Sequence, residues 1–351
     1  MKAWEKNIRR VIPYTPGEQP KRPGIIKLNT NENPYPPSPM VEQALKALDP
    51  AALRRYPDPT CAKLTQALAE EYHLDPEQVF TGVGSDDVLA MCFMTFFNSE
   101  KPLLFPDISY SFYEVWAELF KIPFQKIPLD DQFQIRTEDY FESNGGVIFP
   151  NPNAPTGQLM EQSSIEEILI ANPDSIVIVD EAYIDFGGES ALHFLDQYDN
   201  LVVVQTFSKS RSLAGMRIGA AFASKELIKY LNDVKYSFNS YTMSSAALAA
   251  GEAAVRDRAY FEETTQRIIR TRERVSGELR ALGFQFADSY ANFLFVTHPR
   301  IPAQQLFEKL KEAGIYVRYF RQPRIDNYLR ITIGTDEEMD ALVRQLALLT
   351  Q

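Results

Sequence analysis

The chain is poor in the residues that staple or metallate a fold. Its 351 residues include only two cysteines, Cys61 and Cys92, and three histidines, His73, His193 and His298. Both cysteines sit in apolar, helix-periodic stretches, which speaks against a disulfide framework. The histidines show no metal-ligand spacing. No apolar run approaches the ~20 residues that a membrane-crossing helix needs. The opening MKAWEKNIRR lacks the apolar centre of a secretory signal, so the cytoplasm is the expected compartment. Positive charge is also in deficit. Thirty-six Lys and Arg stand against 47 Asp and Glu, a net charge of -11, which argues against non-specific nucleic-acid binding but leaves room for a local basic patch. Internal repeats and low-complexity segments are missing too.

What is present is an ordinary globular composition, long enough for one large domain and a smaller one. The first forty residues are rich in Pro and Asn and cannot hold a long helix; they read as an extended arm that packs across another surface. Helical patterns begin at Pro39 and after Asp58. From QVFTGVG onward, strand and helix signals alternate, which predicts a mostly parallel sheet with helices on both faces. After Ser240 the character changes: a long helical pattern from Thr242 to about Leu282, with room for one break, precedes a compact α+β tail. The expected organisation is an α/β chain. Residues 1–38 would form an N-terminal arm and part of the small domain, 39–260 the large domain and 261–351 the small C-terminal domain.

Two apolar, β-branched runs, Ile176 to Val179 and Val202 to Val204, predict buried strands. Asp180 follows the first directly, with Tyr183 three residues on. Ser208 and Lys209 follow the second, with Arg217 eight residues later. Open α/β sheets place ligands at strand ends. A lysine to carry a Schiff base, an acid for a ring nitrogen and a cation for a phosphate are what pyridoxal 5′-phosphate requires. Each residue taken alone has a plainer reading: Lys209 as a surface lysine, Asp180 as a helix cap or salt-bridge partner, Tyr183 as core. Their order along the chain is what favours the cofactor.

Further candidates lie elsewhere along the chain. Gly84, Ser85 and Asp86 form a turn opening a helix, where backbone amides bind phosphate well. Ser-Asp-Asp is equally an ordinary cap. The Asp86 carboxylate would repel phosphate, so contact there is expected through amides, with the side chain turned away. Tyr110 heads an aromatic helix and could lie on a pyridine face. Asn153, in the FPNPNAPTG loop, could offer an amide to the ring oxygen. Arg318 and Arg330 lie in strand-like runs and together suggest a pocket for a dianion.

The chain as a whole resembles the histidinol-phosphate aminotransferase family of fold-type I pyridoxal-phosphate enzymes. The resemblance rests on WEKNIRRVIPYTPGEQ, KLNTNENPYPPSP, RRYPDP, GVGSDDVL, PNAPTGQ, VDEAYIDF, TFSKSRSLAGMRIG, ANFLF and LRITIGT. It implies a three-layer large domain, a smaller α+β domain and a homodimer with shared active sites. It implies Lys209 as the Schiff-base lysine, Asp180 at the ring nitrogen, Tyr183 at the ring oxygen and Tyr110 as the stacking aromatic. Ser208, Arg217 and the Gly84–Ser85–Asp86 turn would hold the phosphate. Tyr56 would reach the cofactor phosphate of the neighbouring subunit. Tyr14, Arg318 and Arg330 would hold the substrate phosphate. Many relatives carry Asn where this chain has Ala154, and the expectation is that Asn153, one place earlier, substitutes. The implied reaction is amino transfer between L-histidinol phosphate and 2-oxoglutarate, giving imidazole-acetol phosphate and L-glutamate. The alternatives are an aromatic amino-acid aminotransferase, a threonine-phosphate decarboxylase-like enzyme, or a non-catalytic binding protein of the same fold.

Overall fold

The computed structural model describes residues 2–14, 17–20 and 23–350. Along the chain run β1 (Ile26–Leu28), α1 (Pro39–Lys46), α2 (Ala62–Tyr72), β2 (Val79–Gly82), α3 (Ser85–Phe96), β3 (Leu103–Pro106) and α4 (Phe112–Phe120). Then come β4 (Phe124–Ile127), β5 (Gly146–Pro150), α5 (Gln162–Ala171), β6 (Val177–Asp180), β7 (Leu201–Thr206), β8 (Gly219–Ala223) and α6 (Lys225–Phe238). The remainder is α7 (Ser245–Arg256), α8 (Arg258–Ala281), β9 (Phe293–Val296), α9 (Ala303–Glu312), β10 (Ile315–Tyr319), β11 (Leu329–Thr332) and α10 (Asp336–Thr350).

Seven strands form one sheet in the order β2-β8-β7-β6-β5-β3-β4. All neighbours are parallel except β8, which runs against both β7 and β2. The apolar runs explain why this sheet is covered twice. Successive strand residues face opposite ways. Val177, Val179, Leu201 and Val203 join one core with Leu64 of α2, Ile168 of α5 and Ala250 of α7. Ile178, Val202 and Val204 join the other, with Phe93 of α3, Trp116 of α4 and Leu231 of α6. Each fully buried Val or Ile contributes roughly 1.5–3 kcal/mol, so a charged residue at Val179 would break the central layer.

The second sheet has the order β1-β10-β11-β9. β1 pairs in parallel with β10, which brings residues near the N-terminus beside the C-terminal part of the chain. Its core draws on Ile268 and Val275 of α8, Leu306 and Leu310 of α9 and Leu342 of α10. The same core takes in Tyr183 and Ala154 from the loops after β6 and β5, so the two sheets meet where those strands end. The long helical pattern breaks at Asp257, which separates α7 from α8. Near the N-terminus a short 3-10 turn covers Ala3–Asn7. Trp4, Ile8 and Ile12 there are exposed, and Arg9 donates to the carbonyl of Leu119. None of the described helices is long and apolar enough to cross a membrane.

Candidate active site

The carboxyl ends of β5, β6 and β7 lie side by side, with Pro150 opposite Asp180 and Asp180 opposite Val204. A cavity of about 290 Å³ opens there against the second sheet, with Asp180, Tyr183, Lys209, Arg217, Arg318 and Arg330 in its wall. That volume is near the lower end of small-molecule sites, roughly 300–1,000 Å³.

Lys209 sits in the tight turn that ends β7. Leu213 N–H donates to the Phe207 carbonyl at 2.9 Å. The Asn33 amide donates to the carbonyls of Lys209 and Ser210 at 3.0 and 3.1 Å. The backbone is thus pinned from outside while the side chain enters the cavity. Its Nζ donates to the Thr30 carbonyl at 3.2 Å and lies 5.7 Å from the centre of the Tyr183 ring. Asp180, the last residue of β6, is buried. Its Oδ2 accepts from the Tyr113 hydroxyl at 2.7 Å and its Oδ1 from the Ala182 amide at 3.3 Å. Burial pushes this carboxyl up to about 6, against the pull of those two donors. Tyr113, on α4, is completely buried, and burial together with Asp180 raises its phenol.

At one end of the cavity, Arg217 donates to the Ser208 hydroxyl at 3.4 Å and to Asp86 Oδ2 at 3.1 Å. Ser85, the first residue of α3, lines the same end. Gly84 stands behind it at φ +87°, and a Cβ there would lie 2.6 Å from the Arg217 guanidinium. Arg217 itself holds a left-handed backbone, φ 54°, a conformation that costs a non-glycine residue about 1 kcal/mol or more. Tyr110 lines the adjacent wall and donates to Asp86 Oδ1 at 2.7 Å. Across the cavity, Arg318 and Arg330 face each other in register on β10 and β11. Arg330 packs against the rings of Phe293 and Phe320, donates to the Asn29 carbonyl at 3.3 Å, and is pushed down by burial. Tyr14 also lines the cavity and lies against Phe112, ring centres 4.6 Å apart.

Three sequence expectations are corrected. Asn153 does not reach the cavity; Ala154 lines it instead. The Asn153 backbone is fixed by bonds to Gln158 and Gly157, and its amide turns inward to the Ile108 carbonyl and the Thr156 hydroxyl, both at 3.1 Å. A one-residue offset in this pinned turn reverses the side chain's direction. Asp86 does not turn its carboxylate away. It sits between Tyr110 and Arg217, because the half-buried phenol needs an acceptor and the guanidinium a counter-charge. Gly84 is a backing residue and not part of the cavity wall. Tyr56 lies outside the cavity of its own chain, 80% exposed and stacked on Tyr241 at 4.5 Å.

Sequence reasoning missed Tyr113, Asn33 and Asn31, whose amide donates to the Tyr183 hydroxyl at 2.9 Å. The signals were weak. Tyr113 is three residues after Tyr110, the spacing of one helix face. The two asparagines lie in LNTNENP, which carried the resemblance without individual roles.

Taken together, a lysine amine, a buried acid and aromatic side chains share one cavity, with one cationic end at Arg217 and a second at Arg318 and Arg330. That arrangement can hold a flat, nitrogen-bearing anion beside a second anionic molecule and move a proton between them.

The pattern of the family described as aminotransferase class I and II matches residues 23–346. The chain is 54% identical over 344 residues to a histidinol-phosphate aminotransferase of Lactococcus lactis subsp. cremoris, covering 98% of this chain and 97% of that protein. It is 52% identical over 345 residues to the one from Clostridium beijerinckii, covering 98% and 96%. Among solved structures, the histidinol-phosphate aminotransferase of Sinorhizobium meliloti in complex with pyridoxal-5′-phosphate superposes with a TM-score of 0.84. It is 24% identical and covers 93% of this chain and 90% of that one, a likeness of fold.

Proposed function

Because the chain belongs to the class I and II aminotransferases, and among them to the histidinol-phosphate aminotransferases, we propose that its cavity binds pyridoxal phosphate through the residues described above. The enzyme moves an amino group between L-histidinol phosphate and 2-oxoglutarate, giving imidazole-acetol phosphate and L-glutamate.

The residues present fit the cofactor. Gly84 and Gly219 leave the start of α3 bare; a Cβ at Gly219 would lie 2.4 Å from the Ser85 nitrogen. That opening suits a phosphate approaching the helix amides, with Ser208 and Arg217 adding side-chain donors. Taking up a phosphate there requires Arg217 to share its charge with Asp86. Asp180 would hold the proton of the ring nitrogen, Tyr183 would donate to the ring oxygen, and Tyr110 would cover the ring face. Bound pyridoxal phosphate supplies an electron sink for negative charge at the reacting carbon.

The protein's own residues do the rest. Lys209 Nζ takes the proton from the amine-bearing carbon of the substrate as a general base, and in the reverse direction gives one back as a general acid. Tyr14, Arg318 and Arg330 hold the far anion, the phosphate of one substrate and a carboxylate of the other. Fixing both ends of the substrate turns a two-body encounter into an oriented one. The observation that carries the substrate assignment is the in-register arginine pair in the cavity that holds Lys209.

Two further elements belong to this reading. A homodimer with shared sites is supported by the exposure of Tyr56, Leu53 and Phe238 and of the apolar arm residues, all available to a second copy. A cytoplasmic location is supported by two free, buried cysteines. The domain division at 1–38, 39–260 and 261–351 is supported by the break at Asp257 and by β1 joining the second sheet.

The test is an absorbance spectrum of the cofactor-loaded protein with and without L-histidinol phosphate, followed by measurement of glutamate formed from 2-oxoglutarate. Bleaching of the long-wavelength band and stoichiometric glutamate are expected. Faster turnover with phenylalanine would select the aromatic aminotransferase, and carbon dioxide release the decarboxylase.

A further inference from the structure

Ala154, and not Asn153, lines the cavity, so on this wall the Tyr183 hydroxyl is left as the donor for the ring oxygen of a bound cofactor among the residues proposed to touch it. That hydroxyl has a partner behind it. Asn31 is 1% exposed and holds a left-handed backbone, φ 56°, which asparagine tolerates better than most residues. It is locked from three directions. Its N–H donates to the Thr332 hydroxyl at 3.0 Å, that hydroxyl donates to Asn31 Oδ1 at 3.0 Å, and its carbonyl accepts from the Asn292 amide at 3.0 Å. With Oδ1 engaged by Thr332, the amide is oriented so that Nδ2 points at Tyr183, 2.9 Å away.

We propose that Asn31 is a positioning residue: its amide occupies the acceptor side of the Tyr183 hydroxyl, so the single phenolic proton is aimed into the cavity. A phenol has one proton to give, and an amide NH₂ cannot receive it. Thr332 lies two residues after Arg330 on β11, so the strand that carries the substrate arginine also fixes the amide behind the Tyr183 hydroxyl. This inference rests on the reading of the cavity as a pyridoxal-phosphate site.

The experiment uses cofactor-loaded protein and titrates its long-wavelength absorbance with pH. A donor at the ring oxygen stabilises its negative charge once the proton shared with the Lys209 nitrogen has left, so a weaker donor raises the midpoint. Asn31→Gly keeps the left-handed backbone and removes the amide. Asn31→Asp keeps the shape but offers an acceptor that draws the phenolic proton away. Both are expected to raise the midpoint by about one pH unit, and so is Tyr183→Phe. Either change made on top of Tyr183→Phe is expected to add nothing. Ala154→Asn, which restores a second donor, is expected to lower the midpoint. Unmoved midpoints in both Asn31 variants, or an equal shift in the Tyr183→Phe background, would overturn the assignment. A parent protein with no pH-dependent band would overturn the site reading itself, and the role of Asn31 with it.

Discussion

Replacing Asp180 by asparagine separates two consequences of one buried carboxyl. Burial raises it from 3.8 to about 6, more than the hydrogen bonds from Tyr113 and Ala182 lower it. The folded chain therefore holds this proton more tightly than the unfolded chain does. The penalty for ionising it is absent below the unfolded value, grows between the two, and is complete above the folded one. A separation of about two pH units corresponds to about 3 kcal/mol. Asparagine cannot ionise, so cofactor-free Asp180→Asn is expected to exceed the parent in stability by up to about 3 kcal/mol at about pH 8, several degrees in Tm, and to lose that advantage near pH 4. Glu181, pushed up to about 7 by its own burial, is common to both proteins and cancels in the difference. Activity moves the opposite way. Removing one member of a buried charged pair costs about 3–5 kcal/mol, two to nearly four powers of ten in kcat/KM. Paired thermal melts across pH, with kinetics on the loaded enzyme, make the check. A stability difference independent of pH, or a variant with parental kcat/KM, would refute the reasoning.

Tyr113→Phe removes the stronger donor to Asp180 and drives that carboxyl further up. The expected result is about a tenfold to hundredfold loss of kcat/KM at neutral pH, recovering as pH rises, which a pH profile displays. Arg330→Ala is expected to lower kcat/KM by about a hundredfold or more with both L-histidinol phosphate and glutamate; undiminished activity on both would contradict the shared anion site. Tyr56→Ala and Lys209→Ala are expected to be nearly inactive alone and to recover activity when mixed and allowed to exchange subunits, because one of the two sites then holds both residues. Failure to recover would place Tyr56 outside the partner's site.

The sheet was legible because its strands are buried on both faces. SIVIVD and LVVVQT announce themselves as unbroken apolar runs, and each ends on a residue of the cavity, Asp180 or the turn bearing Lys209. The opposed arginines were legible as two strand-borne cations, although only the pairing of β10 with β11 puts them in register. Helices α5 and α6 went unread, since they bury few apolar residues: Ile165, Ile168 and Leu169 in one, Ile228 and Leu231 in the other. Second partners were the least legible. Tyr113 and Asn31 act on residues 67 and 152 positions away, and such contacts arise from packing rather than from local pattern. Asn153 and Asp86 show the converse, where a residue of the right type at nearly the right place turns in a direction that its neighbours' hydrogen bonds decide.

Lys209 is the proposed attachment point of the cofactor. Borohydride reduction of the loaded protein, digestion and mass spectrometry test this directly. The expected result is one reduced pyridoxyl phosphate on the peptide containing Lys209, and none when the protein is treated with L-histidinol phosphate before reduction. A label on any other lysine, or a labelled Lys209 peptide that persists undiminished with that substrate, would contradict it.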